Sequence, residues 1–191
     1  MSQATKHTAI ISDPASMWSK LAWDADCFRD IQTNYPDEKE PLAYAAINVC
    51  LAASSLQDWT KKCLQRGAEE SDRTWDEDAF FTDLRAAVPE QSTCAAIANT
   101  SKHMDFHQRR WVNGEVLLVY EEGNENVPSG YVLYHVIAHS HGQGFAVNRF
   151  DALCRNWWKF LTARGLTDGR SDMPEWRSNK LNRIFRAQLG R

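Results

Sequence analysis

The sequence predicts a mainly α single domain spanning residues 1–191: a bundle of about five to six helices with a β hairpin inserted at about 112–141. Three observations carry this. Apolar residues recur at helical spacing through most of the first hundred residues, and again after Phe145. Between those regions, two runs rich in Val, Leu, Tyr and Ile are separated by a polar loop. The composition, 43% hydrophobic and 25% charged, is that of a globular chain, and 191 residues suffice for one real core.

Taken in order, Asp13-Pro14 has the form of a helix start, with Asp as cap and Pro at the first position. In ASMWSKLAWDADCFRDI, Met17, Leu21, Phe28 and Ile31 share one helical face. Trp18 and Ala25 widen that face and Asp24 interrupts it. NYPDEKEP breaks the helix. LAYAAINVCLAASSLQDWTKKCLQR then reads as a long central helix, apolar on most of its circumference. Its Ala43, Ala46, Ala52 and Ala53 let neighbours approach closely. GAEESDR reads as a loop. Thr74 with Glu77 three residues on has the spacing of a capping box, which predicts a short helix from Trp75 to Val88, ended by Pro89.

QSTCAAIANTSKHMDF is the next helix. WVNGEVLLVYEEG and GYVLYHVIAHSHGQG, joined by NENVPS, form the hairpin. FAVNRFDALCRNWWKFLTARG returns to helical spacing through Phe150, Leu153, Trp157, Phe160 and Leu161, with Gly165 as its C-cap. LTDGRSDMPEW is loop, and RSNKLNRIFRAQLGR a short basic helix.

Charge and cysteine usage narrow the function classes. A net charge of −3 argues against a protein that coats nucleic acid over its whole surface. Acids dominate from Arg66 to Glu90, and bases from Arg155 onward. These two regions pair within the chain, pair across a dimer, or serve separate partners. Five scattered cysteines, Cys27, Cys50, Cys63, Cys94 and Cys154, form no CxxC pair and read as free thiols. The N-terminal residues lack the pattern of a signal peptide, and no apolar run is long enough to span a bilayer, so the expected location is the cytoplasm, with no membrane partner.

The segment IANTSKHMDF carries the main chemical question. Asn99 and His103 lie four residues apart and share a helical face. An Asn can orient an imidazole, and an imidazole can move protons near neutral pH. Cleaving RNA this way also needs a cation for the charge that builds on phosphate. Lys102 is the nearest one in sequence, about a quarter turn away. The competing role for Asn99 and His103 is a polar pair that fixes helix packing.

The helical bundle and this late-helix motif resemble the HEPN superfamily, the small helical domains of bacterial ribonuclease toxins and antiviral proteins. The family motif is Arg-Asn, three variable residues, then His. Asn99 and His103 match it in identity and spacing; Ala98 stands where the family has Arg. In HEPN nucleases the Arg is taken to stabilise phosphate charge and the His to handle protons, usually at a dimer interface. The resemblance therefore implies a HEPN-like fold with degraded nuclease activity. Such relatives serve as binding or regulatory partners in prokaryotic antiviral defence or toxin–antitoxin systems. The expected role is a non-catalytic interaction protein, a homodimer or bound to a protein partner, with RNA a further candidate and no cofactor. The alternative is a metal-independent ribonuclease in which His103, Asn99 and Lys102 are catalytic.

A second alternative is a histidine-coordinated metal protein. His103 and His107 have helical i, i+4 spacing, and His135, His139 and His141 share one strand face if the alternation holds, with His139 and His141 the metal candidates. Met104 occupies the place of the Glu in a zinc-protease HExxH, and no CxxC supports a structural zinc. Finally, Trp157-Trp158, flanked by Arg155 and Lys159, offers aromatics with bases that could stack on nucleic-acid bases; packing is the competing role.

Overall fold

A computed structural model describes residues 5–104, 114–125, 128–137, 142–170 and 172–180. It is mainly α with an inserted hairpin, as expected. The elements run α1 (Thr5–Thr8), α2 (Pro14–Asn34), α3 (Lys39–Glu70), α4 (Glu77–Ala87), α5 (Gln91–His103), β1 (Glu115–Glu121), β2 (Gly130–Ile137), β3 (Gly142–Phe145) and α6 (Ala146–Ala163); residues 175–180 are also helical. Among the described residues, no helix is long and apolar enough to cross a membrane.

α2 starts where Asp13 predicts. The Asp13 carboxylate accepts the Ser16 N–H at 2.8 Å, and the Ser16 hydroxyl accepts the Asp13 N–H at 3.1 Å, closing a capping box. Several boundaries differ from expectation: α5 ends at His103, with Met104 in the left-handed conformation, and Glu175 and Trp176, read as loop, are helical. α3 continues through Gly-Ala-Glu-Glu to Glu70, because one glycine costs only about 1 kcal/mol in a helix and does not end it. α4 is capped not by Thr74 but by Asp76, whose carboxylate accepts the Ala79 N–H at 2.9 Å. Gly165 takes φ +67° just beyond α6, the left-handed conformation that favours glycine after a helix.

α3 is the centre of the bundle, packed by α2 on one side and α5 on another. Its buried Ala45, Ala46, Ala52 and Ala53 leave room for close approach, and Leu42, Val49 and Leu56 fill between them. α6 packs on α2 through Phe150 against Phe28, edge to face at 5.0 Å. Trp18 on α2 donates from Nε1 to the Cys154 carbonyl at 2.9 Å. A buried glutamine ties three helices together. Gln91 accepts from Trp157 Nε1 at 2.8 Å and donates to the Ala53 carbonyl and to Gln57 Oε1, at 3.3 and 3.2 Å.

The hairpin is antiparallel, with Leu118 opposite Leu133 and Val116 opposite His135. A third strand was not expected: β3 pairs with β2, Phe145 opposite Tyr134. The sheet is fastened to the end of α2. Tyr131 N–H donates to the Pro36 carbonyl at 2.6 Å, and Gln32 Nε2 donates to the Tyr131 carbonyl at 2.6 Å. Gly130 lies against Pro36 so closely that a Cβ there would sit 2.8 Å from the Pro36 carbonyl oxygen. Because side chains alternate, Leu118, Tyr131, Leu133 and His135 face the helices, while Leu117, Val119, Val132, Tyr134 and Phe145 lie on the opposite face.

Candidate functional site

Asn99 and His103 do lie one turn apart near the C-terminal end of α5. His103 and Lys102 are exposed and Asn99 is half-buried, so His103 does not face inward in the single chain. Among the described residues, no hydrogen bond or ion pair joins Asn99, Lys102 or His103 to one another or to any other side chain. The hydroxyls between them are used locally: Thr100 donates to the Ala96 carbonyl at 2.9 Å and Ser101 to the Ile97 carbonyl at 2.7 Å. Ala98 is fully buried and belongs to the core. A guanidinium at position 98 would have to enter that core. His107, Arg109 and Arg110 lie outside the described residues, as do His139 and His141.

His135, which strand alternation places on one face with His139 and His141, is a core residue. It is 2% exposed, on the core face of β2, with its ring edge to face with Phe150 at 5.1 Å. Among the described residues, its Nε2 has no hydrogen-bond partner. Burial, and then the positive charge of Arg149, push its pKa down to about 4, so the ring is neutral in the fold. The Arg149 side chain lies across Gly144, the residue opposite His135: a Cβ on Gly144 would be 2.6 Å from Arg149 Nε.

His135 is committed to the core, which removes it from the candidate ligands of a zinc. Among the described residues, no group of three His, Cys, Asp or Glu is placed to hold a metal. Purified protein is expected to contain no stoichiometric zinc, and a chelator is expected to leave its melting temperature unchanged. One zinc per chain by elemental analysis, lost in His139→Ala, would establish the metal reading instead.

The paired tryptophans serve packing. Trp157 is fully buried, and the half-buried Trp158 lies against Trp18 with ring centroids 4.5 Å apart. The five cysteines are free, and four of them have raised thiol pKa values. Burial and then Asp151 push the Cys154 thiol up to about 12; Cys94, hydrogen-bonded to Cys50 and buried, is raised well above the ordinary thiol value. Cys27 and Cys63 are also raised, chiefly by burial.

The described part of the basic C-terminal region pairs inside the chain, through Arg177 and Lys180 with α2 and through Arg164 with the acidic stretch. Lys180 reaches Asp26 at 2.6 Å and Asp30 at 2.5 Å, and Arg177 reaches Asp26 at 3.5 Å. Among the described residues of this region, Arg164 bridges to the acidic stretch, meeting Asp83 at 2.5 Å while its guanidinium lies over Phe160. Arg29 binds both Asp26 and Asp151.

An apolar surface lies on the sheet. The outer face of the sheet carries Leu117, Val119, Val132, Tyr134 and Phe145, none of which belongs to the core or packs against it. Val119 is 41% and Phe145 46% exposed. An antiparallel sheet with one wet face ordinarily alternates apolar with polar residues; EVLLVYE and GYVLYHVI do not. That failure to alternate was the available signal. Comparison of the chain with family models, with curated proteins and with solved structures finds no match.

Proposed function

We propose that this chain is a non-catalytic interaction or regulatory protein with a HEPN-like bundle, acting as a homodimer or with a protein partner. The prokaryotic defence or toxin–antitoxin setting comes from the resemblance alone. The observation that supports the non-catalytic reading is the placement of Ala98. The position that carries the phosphate-binding Arg in HEPN nucleases is closed within the core, while His103 is exposed and, among the described residues, has no side-chain partner. A proton carrier without a positioned cation lacks a contribution worth about 3–4 kcal/mol per donor in the transition state.

The test is a gel assay of total RNA incubated without added metal. Wild type and His103→Ala are both expected to leave the RNA intact. The same two proteins should melt within about 2 °C of each other, since an exposed side chain without partners contributes little to stability. Ala98→Arg is uninformative as a gain-of-function variant, because overpacking position 98 costs stability before it creates a site.

A further inference from the structure

We infer that the outer face of the sheet docks a basic amphipathic helix of a partner protein. This rests on the interaction reading above and names the chemistry of the partner. The apolar centre is Leu117 and Val119 on β1, Val132 and Tyr134 on β2, and Phe145 on β3, with the rings of Tyr134 and Phe145 at 5.0 Å. Both ends of β1 place an exposed glutamate on that same face, Glu115 and Glu121. Tyr134 donates its hydroxyl to Glu121, which fixes that carboxylate beside the apolar centre.

The charge around the face is one-sided. From residue 111 to residue 148 the sequence contains Glu115, Glu121, Glu122 and Glu125 and no Lys or Arg. His135, the one histidine described in the sheet, is turned to the core and neutral. A second copy of the same face would set carboxylates against carboxylates, which is unfavourable. Among the described residues of the three strands, a basic segment meets no Lys or Arg. The spacing defines it further. Glu115 and Glu121 are six residues apart on a strand, roughly 20 Å. A helix covers that length in about 13 residues. The fitting partner therefore carries Lys or Arg about four turns apart, bracketing a stripe of Leu, Ile or aromatic residues.

The experiment uses two labelled synthetic helical peptides with the same leucine stripe, one with lysines and one with glutamates at both ends, titrated with the full chain and read by fluorescence anisotropy. The lysine peptide is expected to bind at least tenfold more tightly than the glutamate peptide, with a preference that shrinks in 0.5 M salt. Glu115→Lys with Glu121→Lys should reverse the preference, and Leu117→Ser with Val119→Ser should weaken both peptides at unchanged melting temperature. Equal binding of the two peptides, or a preference that survives the charge reversal, overturns the inference. So does a wild-type chain that sediments as a dimer and becomes monomeric in Val119→Arg, since the face is then covered by a second copy. RNA cleavage by wild type would overturn the non-catalytic reading without affecting peptide preference, so the two failures are distinguishable.

Discussion

Trp157→Ala is expected to lower the unfolding free energy by about 3–5 kcal/mol, the range for truncating a large buried aromatic. Trp157 is fully buried, and its ring meets Phe160 edge to face at 5.7 Å. Truncation opens a cavity and also removes the donor to Gln91 Oε1. Gln91 is itself 3% exposed, so its oxygen is then left without a partner. Trp18→Ala, which removes a 2% exposed ring and a donor to Cys154, belongs to the same class. Trp59 is half-buried against the core and is expected to cost less. Urea denaturation of the three variants checks this order. A loss below about 1 kcal/mol for Trp157 would place it outside the core.

The second large effect is a stability loss in acid that belongs to His135. Its folded pKa of about 4 lies below the ordinary value of 6.5, so between those values the unfolded chain binds a proton that the folded chain does not. Stability is therefore greatest above pH 6.5 and falls as pH drops toward 4. The gap corresponds to roughly 3 kcal/mol. Since Nε2 has no hydrogen-bond partner among the described residues, His135→Leu removes the titration without orphaning another of their groups. The difference in unfolding free energy between wild type and His135→Leu, measured at pH 7 and at pH 4.5, should shift against wild type on acidification. An unchanged difference would mean that the imidazole protonates freely in the fold.

Local chemistry was readable in the sequence where it acts over three or four residues. Asp13-Pro14 marks a helix start because the cap needs only the next turn, and Gly165 marks an end for the same reason. Reading failed where two local signals competed. Thr74/Glu77 and Asp76/Ala79 are both plausible cap spacings, and the carboxylate won the backbone N–H. Gly67 looked like a boundary, but one glycine costs only about 1 kcal/mol in a helix and does not end a 32-residue one. β3 was missed because GQGF has no apolar pattern of its own; its pairing with β2 is what makes it a strand.

For the site, spacing placed Asn99 and His103 on one turn but could not say which way the turn faces. That orientation is fixed by Ala98, Cys94 and the other buried residues of α5, through contacts distant in sequence. The same limit applies to His135, whose burial depends on Phe150 and the packing of α6, and to Gln91, whose three partners lie 34 to 66 residues away. The apolar outer face of the sheet, by contrast, was visible as strands that do not alternate.

Whether α5 carries chemistry is decided most directly by the cleavage rate of a short RNA labelled with fluorophore and quencher. The full chain is used in molar excess, with chelator present, from pH 5.5 to pH 8. With Ala98 closed in the core and His103 without a side-chain partner among the described residues, the expected rate equals the buffer blank at every pH. A rate a hundredfold above the blank, bell-shaped in pH and lost in both His103→Ala and Asn99→Ala, would contradict the non-catalytic reading and make this chain a metal-independent ribonuclease.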